Sequence, residues 1–238
     1  MTEQNKAKSK PISLFPRWYT IWFLLACIVL LCGGIIDELN GKISDGFNAW
    51  GASISIFLMY IIVLLVWLKR EPLQAIFLRI RIPILIKAIL IGWVFAEIDE
   101  LVCFPFNSLF PEATLTQDIV LTTPMYIFAH LFWFWVLHKY KFSIRESFYI
   151  GGSSLWIIEV VFGGGGAMII LGVLLWPFMI MIHGCHMVLP RLILTSYFTQ
   201  LEQKDTRWKY VLGIVAPLIG TGIGIIVACI IGPLFFDL

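Results

Sequence analysis

Residues 94–106, VFAEIDELVCFPF, carry three carboxylates in four positions at the end of a hydrophobic run: Glu97, Asp99 and Glu100. On a helix, residues three apart share a face, so Glu97 and Glu100 point the same way and Asp99 points elsewhere. An ionisable group inside a membrane span is costly and signals function. Glu97 lies one turn inside the run, ~5 Å from its end, and is expected to face the interior as a functional carboxylate. Asp99 and Glu100 are expected at the outer surface, in water. Glu159, in SSLWIIEVVFGGGG, ends a later run on the same side. Clustered carboxylates repel, so a group of Glu97, Glu100 and Glu159 would retain a proton or bind a cation. The alternative is that the three acids of EIDE mark the end of a span and nothing more.

Histidines supply the second kind of chemistry. His130 stands in the middle of the apolar stretch TPMYIFAHLFWFW, where a neutral imidazole is either a buried structural group or an acid–base partner. Glu97, His130 and Glu100 are the candidate catalytic residues. Their offsets from the middles of their runs put Glu97 and His130 ~10 Å apart in depth, too far for a direct hydrogen bond, so a water-filled cavity is the expected link. His183 and His186, in MIHGCHMVLPR, share a helix face. Two imidazoles suit a metal or haem, but a zinc site needs a third protein ligand, and none is evident at their depth. No metal and no cofactor are therefore expected. His138, beside Lys139, reads as interfacial.

The elements that must hold these groups follow from composition. The chain has 238 residues, 60% hydrophobic and 13% charged, with a mean hydropathy of +0.91. Soluble domains carry about 25% charged residues, so this chain is read as an integral membrane protein. Five cysteines occur without a C-x-x-C pair, which argues against a disulfide or metal framework. A helix needs about 20 apolar residues to cross a bilayer. Seven runs qualify, at about 18–36, 47–68, 83–101, 119–138, 143–162, 167–189 and 210–236. The expected fold is all-α: a polytopic bundle of about seven transmembrane helices, with a basic cytoplasmic leader (1–17) before a single membrane domain (18–238). With the N-terminus inside, sixteen of the seventeen Lys and Arg residues fall on the cytoplasmic side, Lys42 alone falling outside. By the positive-inside rule this puts the C-terminus outside. Leu73, Ile76, Phe77 and Ile80 form one apolar stripe in REPLQAIFLRIRIP, and 190–208 also mixes apolar with polar residues. Both read as headgroup-level segments or as plain linkers.

The order Glu97, His130, His183 is similar to the CAAX-type prenyl protease family of intramembrane glutamate proteases. That family carries E-E-x-x-x-R on one span, F-x-x-x-H on a later one, and a His followed by Asn or Asp on a third. Here EIDEL stands for the paired glutamates, YIFAH for the second motif and HGCHM for the third. The likeness covers about 90 residues, Glu97 to Met187. It implies a glutamate-activated water in a membrane-embedded site. The glutamates are not adjacent, Phe104 stands where the Arg is expected, and Met187 stands for the Asn or Asp. The seven runs also place Glu97 and His183 ~18 Å apart along the membrane normal, which one water cannot bridge. Membership is not claimed.

Three functions stay open. One is an intramembrane enzyme acting on a lipid-soluble or membrane-embedded substrate through Glu and His. Another is a proton- or cation-coupled small transporter using the outer carboxylates. The third is a structural or accessory subunit of a membrane complex. The expected setting is a plasma or inner membrane, with lipids as partners and no nucleic acid. Gly220 and Gly224, a G-x-x-x-G pair, offer a close-packing face for another helix, within this chain or on a membrane partner.

Overall fold

The computed structural model describes residues 14–40, 49–104, 114–158 and 176–235. The leader up to residue 13, Glu159, the glycine run at 163–166 and the early part of the sixth expected span lie outside the described residues. The described elements are α1 (Arg17–Leu39), α2 (Ala49–Leu68), α3 (Arg70–Arg79), α4 (Ile84–Cys103), α5 (Leu115–Lys139), α6 (Ile144–Ile158), α7 (Trp176–Ile193), α8 (Thr195–Thr199) and α9 (Trp208–Phe235). Among the described residues the β content is a single bridge, Tyr140 to Lys204. The all-helical architecture follows from the long apolar runs, which satisfy their own backbone only as helices.

α1, α5 and α9 are each long and apolar enough to cross a membrane, and α2 with α3 makes a fourth if that bent pair is one span. Their outward faces are oily: Val29, Leu68, Ile226, Ile230 and Leu234 are all exposed. Water tolerates no such continuous apolar surface on a monomer, whereas lipid does. α3 turns away from α2 by 72°, and none of its residues is buried, which suits the headgroup-level stripe read from its sequence. The 190–208 segment differs from that expectation. Leu192, Ile193 and Phe198 are fully enclosed in the core, because α7 continues to Ile193 and carries this stretch inward.

α9 lies along α5, α6 along α7, α4 against both α5 and α7, and α1 against α2. The α5–α9 contact is built on glycine. A methyl at Gly220 would meet the Phe128 carbonyl oxygen at 2.4 Å, and one at Gly224 would meet Met125 Cα at 2.4 Å. The partner helix for this G-x-x-x-G face is thus α5 of the same chain. Of the two alternatives read from the sequence, a helix of this chain or of a membrane partner, the backbone of α5 is the one seen at Gly220 and Gly224.

An aromatic cluster of Phe15, Tyr19, Phe23, Tyr60 and Phe148 joins the first helices to α6. The Tyr19 hydroxyl donates to the Pro177 carbonyl at 2.7 Å, fixing the start of α7. At the basic end, Lys209 on α9 pairs with Glu146 on α6 at 2.9 Å and donates to the Lys141 carbonyl at 2.9 Å. α5 opens on a capping box, in which the Thr114 hydroxyl accepts from the Gln117 N–H and the Gln117 side chain accepts from the Thr114 N–H. This secures the helix that carries Asp118, Tyr126 and His130.

Candidate active site

The last two turns of α4 are acidic, and helix geometry sorts the acids between two neighbours. Glu97 and Glu100 lie on the face towards α5. The Glu97 carboxylate accepts from the Thr123 hydroxyl at 2.6 Å and from the Trp93 indole N–H at 2.7 Å. The Tyr126 hydroxyl donates to Glu100 Oε1. Asp99, about 100° round the helix from Glu100, faces α7. Its carboxylate lies with the His183 and His186 rings in a group whose ligand atoms are all within 4.8 Å of one another.

This overturns the expected division of EIDE. Asp99, 3% exposed, and Glu100 are buried, while Glu97 is only half-buried. The reason is length. α4 stays helical to Cys103, so Asp99 and Glu100 lie within the bundle and do not mark its edge. Glu97, expected to face the interior, meets Thr123 of α5 and is half-buried.

α5 contributes a fourth acid. Asp118 is fully buried one turn into the helix and lies within electrostatic reach of Glu100. Asp99, Asp118 and Glu97 all act on Glu100 as neighbouring charges.

The three deep histidines come together. His130 Nε2 lies 3.1 Å from His186 Nδ1, and the rings of His183 and His186 meet edge to face at 5.7 Å. His186 also packs edge-on to Tyr126 at 5.4 Å. His130 is seated on Gly92, where a methyl would meet the ring at 2.2 Å. With only a backbone behind it, the ring has room on that side for no side chain. His138 stands apart at the basic end, 2.9 Å from the Tyr197 hydroxyl, as its position beside Lys139 suggests.

The ~18 Å depth separation expected between Glu97 and His183 does not fit the structure, in which the Asp99 carboxylate, two residues further along α4, lies within 4.8 Å of His183. α7 runs from Trp176 to Ile193, past the expected end at residue 189. His183 and His186 stand at the level of Asp99 on α4, with ligand atoms within 4.8 Å. The absence of a third metal ligand, on which the expectation of no metal rested, fails for the same reason: Asp99 stands in that position. Glu97, Glu100 and His130, the candidate catalytic residues, are all at the site. His130 is reached from the acids through His186 and Tyr126. Asp118, Thr123 and Trp93 were missed in the sequence. Asp118 stands one residue before the apolar run at 119–138, an acid at the edge of a run like those of EIDE.

Comparison with protein-family models, curated proteins and solved structures finds no match for this chain.

Proposed function

We propose that this protein is a multi-pass integral membrane enzyme that hydrolyses a lipid-soluble or membrane-embedded substrate at the Glu100–His186 centre. The observation that carries the reading is the buried meeting of Glu100–Tyr126, His130–His186 and Asp99 from three separate helices. Burying this many ionisable groups is expensive, and a structural bundle has no use for them together. Glu100 is the general base: it takes a proton from water as the water oxygen attacks an ester or amide carbonyl, and returns it to the leaving group. Tyr126 holds that carboxylate in place. His130 fixes the ring of His186 beside the reacting carbonyl. Glu97, half-buried between Trp93 and Thr123, lines the approach. The sequence likeness to intramembrane glutamate proteases points to the same class of chemistry.

The proposed topology has seven spans in a plasma or inner membrane, one for each apolar run, with the N-terminus inside and the C-terminus outside. The acids then lie in the outer leaflet half, and the substrate enters laterally from that leaflet. The row of Glu97, Glu100 and Asp118 favours a second reading, a proton- or cation-coupled transporter.

The test compares lipid and membrane-peptide profiles of cells carrying the wild type, Glu100→Gln or no protein. An enzyme leaves one species accumulated in the last two and depleted in the first. Identical profiles, together with proton flux into liposomes that Glu100→Gln abolishes, would select the transporter.

A further inference from the structure

The Asp99, His183 and His186 donors form a metal-ligand set by type and by placement. His183 and His186 are three residues apart on α7, so both rings leave the same face. Asp99 comes from α4, which packs against α7. Two imidazoles and one carboxylate with a fourth position open is the ligand pattern of catalytic zinc. Bonds of ~2.1 Å in tetrahedral geometry need donors ~3.4 Å apart. Closing from separations of up to 4.8 Å on such an ion requires the side chains to rotate inward.

A second observation points the same way. His186 is fully buried, its Nδ1 is taken by His130 at 3.1 Å, and its Nε2 meets no hydrogen-bond partner among the described residues. A buried ring nitrogen left this way is costly unless something binds it. Histidines that hold metals commonly donate their other N–H to a neighbour, which fixes the tautomer. In the tautomer that carries its proton on Nδ1, His186 donates to His130 Nε2, and the lone pair of His186 Nε2 is left for an ion. The intervening Cys185 is not a ligand, since its Sγ is directed to the Met59 carbonyl at 3.8 Å and Met181 Sδ at 3.6 Å.

We propose that Asp99, His183 and His186 bind one divalent transition-metal ion of the zinc type, with His130 as the positioning residue for His186. The binding claim stands on the donor set itself. Only the ion's part in catalysis, lowering the pKa of a bound water next to Glu100, rests on the hydrolytic function proposed above.

Full-length protein, purified in detergent without added chelator, is analysed for zinc. It is then stripped and titrated with Co2+ while visible ligand-field bands are followed. The wild type is expected to hold about one ion per chain and to give the intense spectrum of a tetrahedral site. Asp99→Asn and His186→Gln are expected to lose both signals, and His138→Gln to keep them. His130→Gln is expected to weaken Co2+ affinity about 10–100-fold. His186→Cys keeps a ligand at that position and is expected to bind Cd2+ with a thiolate charge-transfer band, which guards against loss through misfolding. Absence of zinc and of any Co2+ spectrum in the wild type would overturn the proposal, as would binding undiminished in Asp99→Asn and His186→Gln. Glu100→Gln is expected to retain the ion, so a catalytic defect in that variant tests the hydrolytic reading separately.

Discussion

Gly92→Ala places a methyl where the His130 imidazole already lies. The new Cβ would sit 2.2 Å from Nδ1 and 2.3 Å from Cε1, whereas unstrained heavy-atom contacts settle at about 3.5–4.0 Å. The ring must therefore retreat by more than ~1 Å. It is 1% exposed, and its far edge meets His186 Nδ1 at 3.1 Å. Retreat thus displaces His186 from the carboxylates. Overpacking of this kind costs about 1–3 kcal/mol, offset by the roughly 1 kcal/mol that Ala gains over Gly in a helix. The net loss of stability is expected to be no more than about 2 kcal/mol. The loss of function is larger, because a misplacement near 1 Å at a reacting centre costs about 100-fold. Thermal unfolding in detergent reads the first quantity, and restoration of the wild-type lipid and membrane-peptide profile reads the second. Gly222→Ala is the control: it offers the same helix preference, and its methyl meets nothing within 4 Å. If Gly92→Ala matches Gly222→Ala in both assays, His130 does not position the site.

Gly220→Ala and Gly224→Ala push against the backbone of α5, which cannot rotate aside. Each is expected to cost about 1–3 kcal/mol and to exceed Gly92→Ala in unfolding assays. Asp99→Asn is expected to lower function at least tenfold more than Glu97→Gln, since a buried carboxylate among histidines has fewer substitutes than a half-exposed one; the reverse order in the profile assay would move the centre back to Glu97. Reporter fusions at Asp237 are expected to read as extracytoplasmic, and a cytoplasmic signal would remove the seven-span topology.

The residues of the site were legible where a polar group interrupted an apolar run: Glu97, Glu100, His130, and the pair His183 and His186. The partners of those groups were not. The apolar run ending near residue 101 located α4 but left open which face of its last turns meets α7, so Asp99 read as a water marker. Hydropathy also ended the sixth run at residue 189, whereas α7 continues through Pro190 to Ile193. Depths reckoned from the middles of the runs did not reveal that Asp99 meets His183 and His186. Pairing between helices depends on rotation and offset, which periodicity along one helix does not encode.

The glycine contact between α5 and α9 also bears on the order of biosynthesis. α5 brings Asp118, Tyr126 and His130 to the site, and its Met125–Ala129 backbone is met by Gly220 and Gly224 of α9, which follows much later in the chain. Until α9 emerges, the helix that carries Asp118, Tyr126 and His130 lacks the neighbour that packs along it. Completion of the site is thereby coupled to translation of the last described helix. A chain stalled before Trp208 lacks the helix that packs along this face of α5.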